Sequence, residues 1–464
     1  MPEGATIVID IGKTLSKVSL WSKDGRCLDK VTRPNEAQAA RPYVPLDTAA
    51  TVDWVIEALA RYADHPVETI VPVAHGAAVA GIRRGVLAFV SPDYEWEMPA
   101  EQLAAYRAGR DPFAVTGSPA LPAGLNLGAQ LHFLEGEGGF EGVTLMPYAQ
   151  YWAWLLTGVA TSEVTSLGCH SDLWAPGEGD FSPMAKARGW AQKFAPLVRA
   201  GDVVGTLLPE LARQTGLSPT VRVLAGLHDS NAALLAARGF PEIARNEATV
   251  LSTGTWFIAM RLPAAPVDLA ALPEARDCLV NVDAYSQPVP SARFMGGREI
   301  ESVIEIDTRR VDIKPDQPAL LAAVPQVIAD GVMMLPTLAP GNGPFPNRIG
   351  GWVNQPAGWF ARRSAMCLYA ALLADCSLDL IGSGERLLVE GRFAEAEVFV
   401  RALAALRPET AVYTANAHND VSFGALRLID PGLRPQGELV RVAPLEQDLT
   451  AYKARWAALV ENAR

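Results

Sequence analysis

Two turns in the sequence carry residues suited to binding phosphate. The first contains Asp10, Gly12, Lys13 and Thr14, and the second contains Ser252, Thr253, Gly254 and Thr255. Glycine has no Cβ atom to block a close approach, so backbone N–H groups and threonine hydroxyls in such turns can surround a phosphate. Each turn lies between two apolar strands, and Asp10 and Gly12 correspond in position to Ser252 and Gly254. The repetition predicts two similar domains that hold one nucleotide from opposite sides.

Asp10 follows an apolar strand that is expected to be buried. A carboxylate there is costly unless it meets a cation or hydrogen-bond donors. It could hold Mg²⁺ near the phosphates of a nucleotide, or it could cap the turn. Lys13 could offset phosphate charge or remain solvated, and Lys17 is expected to be an outward-facing strand residue.

Asp229 follows the apolar segment 221–226 and precedes an alanine-rich helix. Ligands of α/β proteins bind where strands end, so a carboxylate there could accept a proton from a substrate hydroxyl. The alternative is that Asp229, or its rival Ser230 or Asn231, only caps the helix.

The elements that would position these residues alternate between strand and helix in each half of the chain. Period-2 apolar segments predict strands at 5–10, 17–21, 68–74 and 86–90, and other patterns predict strands at 331–335, 386–390 and 410–415. Helices are expected at 51–63, 146–158, 363–381, 394–406 and 421–429. This alternation indicates α/β layers, with a domain boundary near 235–247.

The composition excludes several classes of protein. The chain has 464 residues, 49% of them hydrophobic and 20% charged, which predicts a globular protein of two or three domains. A net charge of −11 argues against nucleic acid or an anionic membrane as the partner, although not against ATP. No signal pattern or membrane span is expected. Five scattered cysteines predict reduced thiols in a cytoplasmic protein, and the six histidines show no zinc spacing.

Four segments in order resemble the motifs of the FGGY carbohydrate kinase family, in the actin-like ATPase superfamily. Two are the phosphate turns described above. The segment that ends at His228 and Asp229 is similar to the one that carries the family's catalytic base, and the segment around Gly391 and Arg392 resembles the adenosine-side motif. In that last motif, Glu390 and Arg392 depart from the usual pattern.

The resemblance implies a fold class and a reaction. The fold would be α/β, with two actin-like (ribonuclease H-like) domains and a nucleotide and sugar cleft between them. Residues 1–240 would bind the sugar and supply Asp229 as the base, and residues 241–464 would bind ATP. The nucleotide would contact both phosphate turns, Gly391 and Arg392, with Mg²⁺ at Asp10. The partners would be a sugar and ATP, with no nucleic acid or membrane, in a monomer or homodimer.

Within the family, the sequence from Ser252 to Trp256 most resembles kinases of deoxy-ketohexoses, namely L-rhamnulose and L-fuculose. The expected substrate is therefore a ketose phosphorylated on a primary hydroxyl. Alternatives are a pentulose (ribulose or xylulose) kinase, and a catalytically silent sugar or nucleotide sensor. Polar and aromatic residues of the first half are the expected sugar contacts, because sugars are held by planar polar groups and stacked rings. They are His75, Gly76, Asp93, Tyr94, Gln130, His170 and His228.

Overall fold

The computed structural model describes residues 4–36, 40–244, 246–308, 310–416 and 420–462. Strands and helices alternate along the chain, as the sequence predicts. The strands are β1 (Ala5–Ile11), β2 (Leu15–Trp21), β3 (Cys27–Pro34), β4 (Val67–Ala74), β5 (Val79–Arg83), β6 (Val86–Val90), β7 (Val143–Pro147), β8 (Trp174–Ala175), β9 (Asp180–Phe181), β10 (Val203–Thr206), β11 (Arg222–Leu224), β12 (Leu227–His228), β13 (Ala248–Thr253), β14 (Phe257–Leu262), β15 (Cys278–Val282), β16 (Pro288–Phe294), β17 (Met333–Leu335), β18 (Gly351–Val353), β19 (Arg386–Gly391), β20 (Ala411–Ala415) and β21 (Leu439–Arg441).

The helices cover the predicted segments and several that the sequence patterns do not indicate. They are α1 (Thr48–Ala60), α2 (Ala100–Ala108), α3 (Phe113–Thr116), α4 (Leu127–Gly138), α5 (Tyr148–Thr157), α6 (Val164–Leu167), α7 (Pro183–Ala187), α8 (Pro209–Thr215), α9 (Asp229–Ala237), α10 (Pro241–Ala244), α11 (Gly296–Ile304), α12 (Gln317–Ala329), α13 (Trp359–Leu380), α14 (Glu397–Leu406), α15 (Val421–Leu426) and α16 (Thr450–Asn462).

The chain divides into two compact units. The first comprises Met1–Gly239, Val280–Pro288 and Asn419–Pro435, and the second comprises Phe240–Leu279, Val289–His418 and Gln436–Arg464. The first break in the chain lies within the predicted boundary region, 235–247. The predicted division into 1–240 and 241–464 differs from the observed units at two segments of the second half, which pack with the first unit.

In the first unit, strands lie in the order β10-β11-β4-β1-β2-β3, and β12 also pairs with β4. The hairpin of β1 and β2 forms because its alternating apolar side chains are fully buried, among them Ile7, Ile9, Val18 and Leu20. β4 is parallel to both β1 and β12. The carboxyl ends of these three strands therefore lie side by side.

The sheet of the second unit repeats this arrangement. Its order is β15-β16-β14-β13-β19-β20-β21. β13 and β14 form the equivalent antiparallel hairpin, and β19 is parallel to β13 as β4 is to β1. The repetition of phosphate turns in the sequence therefore corresponds to a repetition of strand order.

Helix α15 explains why residues near 420 belong to the first unit. A Cβ atom on Gly424 would lie 1.7 Å from the carbonyl oxygen of Ala232, so the absence of a side chain lets α15 lie directly against α9. The adjacent Phe423 is buried and packs edge-on against Trp21, with 6.4 Å between ring centroids. Helix α15 lies within the segment 421–429 that the sequence predicts to be helical.

Candidate active site

Three parallel strands of the first unit end at polar residues. In the sheet register, Ile11 lies beside Ala74, and Ala74 lies beside His228. Asp10 is therefore at the end of β1, His75 directly follows β4, and Asp229 directly follows β12. Because paired strands are about 4.8 Å apart, these residues are within a small molecule's length of one another. This edge is where ligands of open α/β sheets bind.

Asp229 begins helix α9 and has 32% of its side chain exposed. Its Oδ1 accepts a hydrogen bond from the Ser230 backbone N–H at 2.6 Å and lies 3.2 Å from His228 Nε2. Apolar surroundings raise the pKa of Asp229, and the nearby His75 opposes this shift. The carboxylate is thus reachable and more basic than an ordinary aspartate, as a general base requires.

His228 is buried, and burial lowers its pKa to about 4, so the ring is neutral near neutral pH. Its Nε2–H can therefore donate to Asp229 without an ion pair. Gly76 makes room for the ring, because a Cβ atom at that position would lie 2.7 Å from His228 Nε2. His228 therefore lies between two other expected residues, Gly76 and Asp229.

His75 lies among aromatic rings. Its ring centroid is 5.7 Å from that of Tyr94 and 5.4 Å from that of Tyr148. Burial is the main cause that lowers the pKa of His75. Its Nδ1 lies 2.8 Å from its neighbour's carbonyl, Gly76 O. An imidazole beside two tyrosine rings suits a polyhydroxylated ligand.

Lys13 contacts Asp93 and Tyr94, two residues that the sequence analysis predicts to contact the sugar. Its Nζ lies 2.6 Å from Asp93 Oδ2, 3.5 Å from Glu95 Oε2 and 5.3 Å from the centre of the Tyr94 ring. Lys13, Asp93 and Glu95 border a cavity of about 270 Å³. The same cavity is also lined by Gly12, Thr14, His75 and Tyr148. The first phosphate turn and two of the expected sugar residues, His75 and Asp93, therefore share one cavity within the first unit.

Lys17 is not an outward-facing residue, contrary to expectation. It lies opposite Asp10 in the hairpin, with 14% of its side chain exposed, and its Nζ is 3.1 Å from Asp10 Oδ2. The same ammonium group donates a hydrogen bond to Asp420, which caps α15. Burial, with contributions from Asp229 and Asp420, raises the pKa of Asp10 to about 6 despite Lys17. The cross-strand register of the hairpin is the signal that could have identified Lys17.

Gln130 and His170 are engaged with the backbone. Gln130 Nε2 donates to the carbonyl groups of Ala77 and Gly124 at 2.7 and 2.5 Å. His170 Nδ1 lies 2.7 Å from the Leu125 carbonyl oxygen. These contacts fix the loops that follow β4 and precede α4, so the two residues shape the site through its backbone.

In the second unit, the hydroxyls of the second turn bond to the end of β19. Ser252 Oγ donates to Glu390 Oε1 at 2.6 Å, and Thr253 Oγ1 donates to the Glu390 carbonyl at 2.5 Å. Burial raises the pKa of Glu390. Gly391 has φ +85°, and a Cβ atom there would lie 2.1 Å from Thr253 O, so only glycine fits beside the turn.

The rest of the expected nucleotide residues lie close by. Gly254 N–H donates to Trp256 O at 2.9 Å, and the Thr255 carbonyl accepts from Arg298 N–H at 3.3 Å. Arg392 is paired with Glu301, with Nη1 and Oε1 3.3 Å apart. The structure thus brings Ser252–Thr255, Gly391 and Arg392 to one end of the second unit's sheet.

A magnesium ion fits Asp10 only with the help of phosphate. Among the described residues, no group of three or more His, Cys, Asp or Glu side chains could hold a metal ion. Mg²⁺ in nucleotide sites commonly takes one or two carboxylates and completes its shell with phosphate oxygens and water. A single carboxylate at the mouth of the sheet, as at Asp10, is compatible with that mode.

Comparison with known proteins identifies the family. Residues 245–436 match the family described as "Carbohydrate kinase FGGY, C-terminal domain". The crystal structure of a carbohydrate kinase from Novosphingobium aromaticivorans is 69% identical, covers 98% of this chain and 100% of that chain, and has a TM-score of 0.95. The chain belongs to the FGGY carbohydrate kinase family. The expected family, and with it the class of phosphotransferases with an alcohol acceptor, is confirmed.

Proteins of lower similarity differ in their named sugar. An L-fuculokinase from Escherichia coli (strain K12) is 26% identical over 321 residues, and this chain spans 62% of its length. An L-fuculokinase from Salmonella typhi is 35% identical over 133 residues, 27% of its length. A xylulose kinase from Rhodospirillum rubrum is 18% identical with a TM-score of 0.80, covering 99% of this chain and 98% of its own. The expected fold of two actin-like α/β domains is thereby confirmed.

One further expectation concerns membranes. Within the part of the chain that the structure describes, no helix combines the length and the apolar character that crossing a membrane requires. None of the five cysteines forms a disulfide within those residues.

Proposed function

We propose that this FGGY family member is an ATP-dependent kinase that phosphorylates a primary hydroxyl of a ketose similar to L-rhamnulose or L-fuculose. The similarity to L-fuculokinases and the sequence from Ser252 to Trp256 support this choice of sugar. The observation that carries the proposal is the position of Asp229, partly exposed at the same strand edge as Asp10 and His75.

Asp229 would act as the general base. The ketose hydroxyl oxygen forms a bond to the γ-phosphorus while the bond between that phosphorus and the ADP oxygen breaks. The hydroxyl proton passes to the Asp229 carboxylate, whose raised pKa favours accepting it. The Ser230 backbone N–H and hydroxyl donate to Oδ1, and His228 Nε2 lies 3.2 Å from the same oxygen, so Oδ2 would be the oxygen that faces the substrate.

The residues around Asp10 would set the charge near the transferred phosphate. When bound, Mg²⁺ offsets the negative charge of the phosphates, and Asp10 is the side chain that would hold it. Lys17 adds a positive charge 3.1 Å from Asp10. In the second unit, Ser252, Thr253, Gly254, Thr255, Gly391 and Arg392 would contact ATP.

For the sugar, the structural contacts divide the expected residues into two groups. His75, Asp93, Tyr94 and His228 present side chains near the cavity or Asp229 and would contact the ketose directly. Gly76, Gln130 and His170 would act by shaping the backbone and the space around it.

An ADP-release assay with Mg-ATP across a panel of sugars tests the proposal. The panel contains L-rhamnulose, L-fuculose, L-ribulose, D-ribulose and both xyluloses. We expect the highest kcat/KM with L-rhamnulose or L-fuculose. A preference for a pentulose would replace the proposed substrate, in line with the fold shared with xylulose kinases. ATP binding without turnover of any sugar would favour a silent sensor.

The variant Asp229→Asn tests the catalytic role. Asparagine keeps an oxygen that accepts from Ser230 N–H but cannot take the hydroxyl proton, so we expect kcat to fall by about 10²–10⁴-fold with folding intact. Asp24→Asn, which changes an exposed aspartate on the turn between β2 and β3, is the matched control. Retained turnover in Asp229→Asn would refute the assignment of the base.

A further inference from the structure

A chain of hydrogen bonds links a buried glutamate to the backbone next to Asp229. Glu163 and Thr165 are both fully buried, at the start of α6. Thr165 Oγ1 donates to Glu163 Oε2 at 2.5 Å. Thr165 Oγ1 in turn accepts a hydrogen bond from the His228 backbone N–H at 2.9 Å. The chain thus runs from Glu163 through the Thr165 hydroxyl to the residue that precedes Asp229.

The direction of these bonds follows from their chemistry. A threonine hydroxyl has one proton, and Thr165 donates it in a hydrogen bond to Glu163 Oε2. Glu163 Oε2 also accepts a hydrogen bond from the Thr165 backbone N–H at 2.9 Å. The lone pairs of Oγ1 are then turned toward His228. Glu163 therefore sets the orientation in which the hydroxyl can accept the His228 N–H.

The His228 N–H needs such a partner because of its place in the fold. His228 is the N-cap of α9, and N–H groups at a helix start have no acceptor within the helix. The side chain of His228 is confined separately, against Gly76 and toward Asp229. The backbone and the ring of His228 are thus held from two different elements, directly before the carboxylate.

We propose that Thr165, oriented by Glu163, is a positioning residue that fixes Asp229 for proton acceptance. The inference rests on the proposed kinase function. A hydroxyl that acts in this way affects the catalytic step more than nucleotide binding, because within the described residues Thr165 bonds to Glu163 and His228 and to none of the residues proposed above to contact ATP.

Four variants separate positioning from simple stability. Thr165→Val and Glu163→Leu remove the bond to His228 or the group that orients it. Thr165→Ser and Glu163→Gln retain a hydroxyl and a carbonyl acceptor. Thr161→Val is the matched control, because Thr161 is also buried and its hydroxyl has no hydrogen-bond partner among the described residues.

Steady-state kinetics with the best ketose of the panel give the main readout, at a temperature where all variants are folded. We expect Thr165→Val and Glu163→Leu to lower kcat about tenfold, with the KM for ATP changed less than about twofold. Thr165→Ser, Glu163→Gln and Thr161→Val should stay close to the unchanged protein. Hydrogen exchange should show faster exchange of the His228 N–H in Thr165→Val but not in Thr161→Val.

The outcomes separate the inference from the function beneath it. If the unchanged protein turns over a ketose and Thr165→Val matches it, the inference is wrong while the proposed function stands. An equal loss in Thr161→Val would also overturn it, because any buried hydroxyl would then matter. If the unchanged protein turns over no sugar, the proposed function fails first, and the inference fails with it.

Discussion

Replacing Glu163 by glutamine should stabilise the protein in a pH-dependent manner. Glu163 is fully buried, and burial raises its pKa from 4.5 to about 8. Between these two values the folded protein holds a proton that the unfolded chain releases, so folding becomes less favourable as pH rises. Glutamine does not titrate in this pH range, so the variant does not lose stability in this way as pH rises.

The size of the effect can be worked out at pH 7. The interval from 4.5 to 7 is about 2.5 pH units, and each unit corresponds to about 1.4 kcal/mol, which gives a penalty of about 3 kcal/mol for Glu163. Below pH 4.5 the penalty disappears, because the carboxyl group is protonated in both states. Any cost of fitting the glutamine NH₂ group is the same at every pH. The pH dependence of the difference in unfolding free energy between Glu163→Gln and the wild-type protein therefore reports on the carboxyl group alone.

Thermal unfolding of both proteins from pH 4 to pH 8 measures this change. For a unit of this size, 1 kcal/mol corresponds to roughly 2 °C in melting temperature. The difference in melting temperature between Glu163→Gln and the wild-type protein should therefore increase by about 6 °C from pH 4 to pH 7. Glu178→Gln, which alters an exposed glutamate, should show no such trend. A difference that is constant across pH would refute the reasoning, because it would mean that Glu163 does not carry its proton into the folded state.

Three further changes test other parts of the site. Asp420→Asn keeps an oxygen for helix capping but removes one charge partner of Lys17. The free energy of unfolding should therefore fall by about 1 kcal/mol, and by less at high salt. Denaturant titrations at two salt concentrations measure this. Gly76→Ala would place a Cβ atom 2.7 Å from His228 Nε2, and the displaced ring should lower kcat at least tenfold while ATP binding, followed by calorimetry, is unchanged. Glu390→Leu should raise the KM for ATP severalfold and Glu390→Gln should not, because only glutamine retains an acceptor for the hydroxyl of the second turn; equal KM values in both variants would contradict this.

The hairpins and the strand ends were predictable because they depend on local patterns. Alternating apolar residues give β1, β2 and β13, and glycine with polar residues gives the turns. The position of Asp229 after a strand followed from the same reasoning. What these patterns lack is pairing: Lys17 appears as a solvated strand residue until the hairpin register places it opposite Asp10.

Contacts between distant segments were not predictable from local patterns. The bond from Thr165 to His228 joins two short elements that have no periodic signal, and a buried glutamate such as Glu163 is unexpected from its residue type. The two segments of the second half that pack with the first unit were not predictable for the same reason. Nothing in the residues near Asp420 indicates that their partner is Lys17 in the first hairpin.

The return of α15 to the first unit has a consequence for how the protein is made. On the ribosome, residues up to Gly239 emerge long before Asp420, Phe423 and Gly424 do. Until then, the surface of α9 that will receive α15 is uncovered, and Lys17 has only one of its two carboxylate partners. N-terminal domains usually fold as they are synthesised, but here completion waits for a segment near the end of the chain. A nascent chain stalled after Gly239 should therefore expose apolar surface and depend on chaperones.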